Sequence, residues 1–355
     1  MEKVLVVRLS AMGDVIHALP AVNALRKAMP DAEIGWVIEE RWSELLCARG
    51  YPLQGLVSEQ RPLASRIHHV RTKEWRRNLS SPFTWPATWR ALQGSLDEMR
   101  RISYDTALDL QGSIRSAAVA RWSGAKSVVG SAQPRERPAR WFYKQKLRRS
   151  GTHVIQQNLA LVQEWTGPNT PLPDAILPRD PAAEAWCERY CAEQRIGKPV
   201  LLNPGAGWGA KQWPAERYGQ VARELAGDGY TLLVNYGPGE EALAHSVAAS
   251  SAGAAYPVRC SLGELIALTR RAELFIGGDT GPLHLAAALK IPVAAIFGPT
   301  DPARNGPFGT RSVVLRNPES VTSHKRHTET EPGLFHITKD QVLAAARSLL
   351  NGDPP

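Results

Sequence analysis

The sequence predicts an α/β fold of two parallel-sheet domains, and three observations carry that prediction. Its 355 residues, 43% hydrophobic and 22% charged, are too many for one ordinary core and suit two domains of roughly 150 to 200 residues each. Short runs rich in Val, Ile and Leu alternate with longer amphipathic stretches, the rhythm of parallel strands covered by helices on both faces. That rhythm occurs twice, on either side of a proline-rich stretch.

In the first half, strands are predicted at 4–9, 33–38, 67–71 and 106–110, and helices at 15–29, 86–101, 113–122 and 153–165. The first strand rests on the unbroken run Val4-Leu5-Val6-Val7, and the first helix on the spacing of Val15, Ile16, Leu19, Val22 and Leu25. The stretch from Gly167 to Pro181 holds five prolines, which forbid a continuous helix and mark a linker. The boundary is placed near residue 175, giving domains 1–174 and 175–338. In the second half, strands fall at 200–203, 231–235, 274–276 and 293–297, and helices at 182–194, 215–226, 240–250, 262–270 and 281–289. A closing helix at 339–350 follows the basic, histidine-bearing run Ser323-His-Lys-Arg-His327. Packing of that helix back on the first domain is open, because periodicity does not decide it. Two such domains facing each other would leave a cleft, with ligands at the carboxyl ends of the strands.

The formal net charge of +9 is unevenly placed. Residues 61–149 hold 19 Lys and Arg against 6 Asp and Glu, while the rest of the chain holds 24 against 28. Five of the eleven tryptophans (Trp75, Trp85, Trp89, Trp122, Trp141) lie in that segment, a mixture suited to an anionic, partly apolar partner. A solvated basic face is the plainer reading. Nucleic acid is not expected, since helix-turn-helix, zinc-finger and RNP patterns are absent. Four scattered cysteines make no disulfide framework and fit a reducing compartment. The N-terminus reads as a strand rather than a signal peptide, and no run reaches the length of a membrane span.

Chemistry is sought in the loops after strands. The first is Leu9-Ser10-Ala11-Met12-Gly13-Asp14, where Asp14 is either a helix cap or an exposed carboxylate able to take a proton. The loop lacks the three-glycine dinucleotide fingerprint, which disfavours a nicotinamide dehydrogenase. The turn Gln111-Gly112-Ser113-Ile114-Arg115 presents a cation on a first helical turn, for an anion or for nothing more than a turn. Asn203-Pro204-Gly205-Ala206-Gly207-Trp208-Gly209-Ala210-Lys211 puts glycines and a lysine between strand and helix, the physics of a phosphate loop without a Walker ending. A flexible surface loop is the alternative. Gly277-Gly278-Asp279-Thr280-Gly281-Pro282-Leu283-His284 places a helix N-terminus where a diphosphate is favoured. Asp279 would repel phosphate, so it is assigned to sugar hydroxyls, and His284 is either a half-buried structural residue or a leaving-group contact. Tyr236-Gly-Pro-Gly-Glu-Glu241 offers a carboxylate to ribose or to the helix end. His68 and His69 point to opposite faces of a strand, and Cys187 with Cys191 lack further ligands, so no metal site is expected.

Taken together, Ser-Ala-Met-Gly-Asp-Val-Ile-His (10–17), Asp-Leu-Gln-Gly-Ser-Ile-Arg-Ser (109–116), Asn-Pro-Gly-Ala (203–206) with Lys211, Gly-Asp-Thr-Gly-Pro-Leu-His (278–284) and Phe-Gly-Pro-Thr-Asp-Pro (297–302) resemble the ADP-heptose:lipopolysaccharide heptosyltransferases, glycosyltransferase family nine. The resemblance runs from residue 3 to about 302 and is nearest the type that adds the first heptose. It implies a GT-B fold of two Rossmann-like domains and inverting, metal-independent transfer from ADP-heptose to Kdo-lipid A, with no cofactor. It implies Asp14 as general base and Lys211 as the cation meeting the departing ADP. It implies donor contacts from Gly205, Ala206, Glu241, Asp279, Thr280, Gly281 and His284. It implies acceptor contacts from Ser10, Met12, Gly13, Lys73, Arg76, Arg77, Gln111, Arg115 and His153. A cytoplasmic enzyme, peripheral at the inner face of the inner membrane, follows from that substrate. Tyr236-Gly-Pro-Gly-Glu departs from the Trp-Gly of many relatives, and 61–100 and 318–337 look individual to this chain. Another sugar, a later core position, or a non-catalytic nucleotide-sugar or nucleic-acid binding protein on the same frame are the alternatives.

Overall fold

The computed structural model describes residues 2–78, 84–323 and 329–352, apart from the side chains of Lys73 and Arg76. Two compact units divide at Arg179 and Asp180, five residues beyond the boundary placed from the prolines. Among the described residues each unit holds one six-stranded sheet.

The first unit contains β1 (Lys3–Val7), β2 (Glu33–Glu39), β3 (Arg66–Val70), β4 (Thr106–Asp109), β5 (Ser127–Ser131) and β6 (Gln145–Leu147). They lie in the order β3-β2-β1-β4-β5-β6, and every neighbouring pair is parallel. Its helices are α1 (Met12–Ile16), α2 (Leu19–Ala28), α3 (Thr72–Asn78), α4 (Trp85–Ile102), α5 (Ile114–Trp122), α6 (Val154–Ala160) and α7 (Gln163–Thr166). The helix expected over 15–29 is two helices, because Pro20 stands in the first turn of α2 and a proline ring clashes with the carbonyl four residues back. The helix expected over 153–165 likewise breaks at Leu161 and Val162, both fully buried. Inside the unit, Leu5, Val7, Leu96, Met99, Tyr104, Ala117 and Ala120 share one core layer.

The second unit repeats the plan with β7 (Val200–Asn203), β8 (Leu232–Tyr236), β9 (Ala255–Arg259), β10 (Leu274–Gly278), β11 (Val293–Phe297) and β12 (Ser312–Arg316). The order is β12-β11-β10-β7-β8-β9, again parallel throughout. Its helices are α8 (Pro181–Glu193), α9 (Ala215–Gly227), α10 (Glu241–Ser250), α11 (Leu262–Arg271), α12 (Gly281–Ala288), α13 (Pro302–Asn305) and α14 (Lys339–Asn351). Strand alternation divides the interior: Leu274 and Ile276 face the layer containing α9 and α14, and Phe275 faces the layer of α8, α11 and α12. Both faces are therefore buried, which is why these strands read as continuous apolar runs.

The sequence leaves the packing of the closing helix open. The closing helix α14 is a layer of the second unit: Val342, Leu343, Ala346 and Leu349 are buried with Leu202, Val221 and Ile296. The chain before it is tied down by Trp213, two residues ahead of α9, whose Nε1 donates to the Ile337 carbonyl at 3.0 Å, and by Arg217 of α9, which donates to the same oxygen at 2.6 Å. Residues 324–327 of the basic run before it lie outside the described residues.

Candidate active site

At the carboxyl edge of the first sheet, the turns after β1 and β4 are laced together. Gln111 Oε1 accepts from the backbone N–H groups of Leu9 at 2.9 Å and Ser10 at 3.3 Å, and Gln111 Nε2 donates to Ser113 at 3.1 Å. Below it Asp109, fully buried, accepts from the N–H groups of Gln111 and Gly112 and from the hydroxyls of Ser116 and Tyr143. Burial pushes the Asp109 carboxyl upward while these donors pull against it. Asp14 is the third residue of α1, not its cap. Its Oδ2 reaches back to the N–H of the capping Ala11 at 3.2 Å, so part of the capping reading holds. Its Oδ1 lies 2.8 Å from Nη2 of Arg8. Arg8 is buried and also donates to the carbonyls of Asp14 at 3.0 Å and Leu110 at 2.6 Å. The carboxylate is fixed in direction yet 34% exposed, the combination a proton acceptor needs. Met12 is buried and Gly13 half-buried in the same turn.

Arg115 stands on the first turn of α5, where Nη1 donates to the Thr72 hydroxyl at 2.9 Å and lies 3.9 Å from buried Glu39. Thr72 in turn donates to Glu39. Arg77 borders a cavity of about 630 Å³ shared with Glu39, Glu40, Arg71 and Glu74. Lys73 and Arg76 belong to α3, with side chains outside the described ones. His153 caps α6 by accepting from the Ile155 N–H at 3.2 Å, and its ring meets that of His17 edge-on at 5.6 Å.

In the second unit, Lys211 meets Asp279 and His284, which are 68 or more residues further along the chain. Lys211 Nζ pairs with the Asp279 carboxylate and lies 3.2 Å from its backbone carbonyl, while Asp279 Oδ1 lies 3.0 Å from Nε2 of His284. Burial would raise the Asp279 carboxyl; the hydrogen bond and charge of His284 and the charge of Lys211 outweigh it and hold the group well below the usual carboxylate range. Gly278 makes the meeting possible: a Cβ there would lie 3.0 Å from the Lys211 carbonyl. Thr280 is the residue before α12, and Gly281 with Pro282 opens the helix, where a missing proline N–H does no harm. Lys211 Nζ also sits 5.2 Å from the centre of the Trp208 ring.

Glu241 accepts from the N–H of Gly239 at 2.9 Å. Its neighbour Glu240 is the one brought to the Asn203–Ala206 turn, since a Cβ on Gly205 would fall 2.3 Å from the Glu240 carboxylate, which also accepts from the Gly237 N–H at 2.9 Å. Sequence reasoning missed Arg8 and, of the Glu240-Glu241 pair, carried only Glu241 forward. The signal for Arg8 was present, a charge inside the apolar run Val6-Val7-Arg8-Leu9; nothing in sequence separates Glu240 from Glu241. Among the described residues no group of three or more His, Cys, Asp or Glu is arranged to hold a metal ion.

Residues 92–335 match the sequence profile of glycosyltransferase family 9 (heptosyltransferase), more than two thirds of the chain. The chain belongs to glycosyltransferase family 9. Within that family it is 29% identical over 360 residues to lipopolysaccharide heptosyltransferase 1 of Pseudomonas aeruginosa, covering 97% of this chain and 94% of that one. It is 27% identical to the enzyme of the same name from Escherichia coli K12, covering 89% and 94%. Its fold is that of E. coli heptosyltransferase WaaC, solved with ADP (TM-score 0.76, 24% identity, 98% and 99% covered), and of E. coli ADP-heptose lps heptosyltransferase II (TM-score 0.75, 19% identity, 99% of each covered). The fold class is therefore GT-B, and this family 9 member is an enzyme, a heptosyltransferase. Among the described residues no helix is long and apolar enough to cross a membrane.

Proposed function

We propose that this family 9 enzyme transfers L-glycero-D-manno-heptose from ADP-heptose to Kdo of the lipopolysaccharide inner core, with inversion at the anomeric carbon and without a metal. The observation that carries the reading is Asp14, a half-exposed carboxylate held in one direction by buried Arg8 at the carboxyl edge of the first sheet. The acceptor oxygen attacks the anomeric carbon, its proton passes to Asp14, and the bond from that carbon to the diphosphate oxygen breaks with both electrons leaving on ADP. A carboxylate also favours the positive charge that develops on the sugar.

Lys211 and the N-terminus of α12 supply the positive charge a departing diphosphate needs, and Thr280 with Gly281 brings backbone donors to it. Asp279 and His284 take sugar hydroxyls, and Gly205, Ala206 and a carboxylate of the Glu240-Glu241 pair border the nucleoside. Gln111 and Ser10 shape the acceptor side around Asp14, with Met12, Gly13, Arg115, Arg77, Lys73, Arg76 and His153 as its further candidates. The acceptor being a glycolipid, the enzyme works as a cytoplasmic protein peripheral at the inner face of the inner membrane.

The test is transfer from ADP-heptose to Kdo-lipid A, followed by ADP release and by the anomeric configuration of the product. Turnover with a retained configuration, or transfer only to a core already carrying heptose, overturns the corresponding part of the reading.

A further inference from the structure

Between Arg135 and Arg149 the chain carries seven cations and a single acid, Glu136. That acid is committed to the fold, because its carboxylate accepts from the Ile114 N–H at 2.8 Å while its own N–H donates to the Gly112 carbonyl at 3.0 Å. The rest of the segment is just as firmly stapled. Ala139 is fully buried, the 3-10 turn Arg137–Phe142 packs on α5, and Tyr143 reaches the buried Asp109 at 2.7 Å. What this framework turns outward is charge and indole: Arg135, Arg137, Arg140, Lys144, Lys146 and Arg148 are exposed, and Trp141 is 81% exposed. Among the described residues none of these six pairs with a carboxylate.

Unpaired like charges on so short and rigid a stretch repel one another, and the repulsion is relieved by an anionic partner. Lys146 on the edge strand β6 and Lys144 just before it have a simpler use, since lysines there discourage edge-to-edge pairing. That use does not extend to Arg137 and Arg140, which lie on the 3-10 turn. An indole held in solvent beside cations is the pattern of a membrane interface, where the ring sits among headgroups and the cations meet phosphates. Ile114, 43% exposed at the start of α5, adds an aliphatic contact that stacked bases do not need.

We propose that the exposed cations of the Arg135–Arg148 segment, together with Trp141 within it, dock the enzyme on an anionic phospholipid bilayer. The inference rests on the membrane-surface placement proposed above and not on the transfer chemistry. It is tested by sedimenting the full chain with phosphatidylglycerol-containing and with purely phosphatidylcholine vesicles at two salt concentrations.

Binding is expected to require the anionic lipid and to weaken with salt. The double substitution Arg137→Gln, Arg140→Gln weakens it roughly twenty-five-fold, about fivefold per cation, and Trp141→Ala weakens it roughly tenfold. Trp122→Ala, at the far end of α5 and 49% exposed, leaves it unchanged. Transfer to a soluble, deacylated Kdo acceptor is unaltered in all three variants, so lost docking and lost chemistry are told apart. Equal binding to neutral vesicles, parental affinity in the double variant, an equal effect of Trp122→Ala, or binding to duplex DNA without binding to vesicles overturns the proposal.

Discussion

Asp14 and Asp279 are both carboxylates at strand ends, and their surroundings set them to different work. Asp14 is open to solvent on one side and gripped on the other by Arg8. Asp14→Asn keeps the shape and removes the proton acceptor, so turnover falls on the order of a hundredfold or more. ADP affinity, read by calorimetry, is expected to change little, because Asp14 and the loops proposed to hold the donor belong to different units.

Asp279 is buried and paired, with its folded-state titration depressed by His284 and Lys211 against the cost of burial. A depressed carboxylate stabilises the fold above its unfolded pKa of roughly 3.9, and the contribution is lost as pH falls below that value toward the folded one. Asp279→Asn therefore flattens the acid side of the stability curve. Urea midpoints taken between pH 5 and 2 fall less steeply for the variant than for the parent. Parallel slopes would show that the pair is not held in this way. At Gly205, substitution by Ala places a Cβ against the Glu240 carboxylate. ADP-heptose binding weakens in Gly205→Ala, and Gly205→Ala combined with Glu240→Ala relieves the clash without restoring full affinity if Glu240 serves the nucleoside.

Elements differ in how plainly sequence announces them, and burial explains the difference. Central strands β1, β4, β7, β10 and β11 are apolar on both faces and stand out from their neighbours. The four strands passed over, β5, β6, β9 and β12, lie on the outer flanks of their sheets. β9 reads Ala-Tyr-Pro-Val-Arg with exposed Tyr256, and β6 has only three residues, so neither presents a run that competes with a loop. α3 escaped notice because its seven residues, Thr-Lys-Glu-Trp-Arg-Arg-Asn, are almost wholly polar. The turns with Asp14, Lys211, Asp279 and His284 were legible because each follows a strand and carries glycine. Their mutual distances were not, since Lys211 and Asp279 are 68 residues apart. For α14, periodicity marked the helix and left its partner open. Truncating its buried Leu349 to Ala costs about 2–5 kcal/mol, seen as a lower urea midpoint for the transition that reports the second unit. An unchanged midpoint would show that α14 is not part of that core.

At the scale of the molecule, the same strand order recurs in the two units, with the third strand leading out to one flank and the sixth to the other. Each sheet reverses its winding beside its first strand, and the loops discussed above begin at those reversals: Asp14 after β1, Gln111 after β4, Gly205 after β7 and Asp279 after β10. This is where open α/β sheets hold ligands. A ligand that binds only the folded state raises the unfolding midpoint, by about 2.7 kcal/mol of stabilisation at a hundredfold excess over Kd. ADP and ADP-heptose are expected to raise the thermal midpoint, and UDP-GlcNAc, GDP-mannose and NAD to leave it in place. A shift with a uridine or guanosine sugar would keep the fold and change the donor.

The Lys211–Asp279 pair bears on how such a reaction ends. The Lys211 ammonium has an anion inside the protein, so a diphosphate held there as proposed would displace a carboxylate rather than water. On the proposed reading, capture would be an exchange of partners in which Asp279 gives up an ammonium and receives sugar hydroxyls. On that reading, once the sugar has moved to the acceptor, Asp279 would keep His284 but lose the sugar hydroxyls, and a buried carboxylate with fewer donors is costly. Asp279 would then reclaim Lys211 and loosen its grip on ADP, so that the pair proposed to receive loaded nucleotide would also release the spent one.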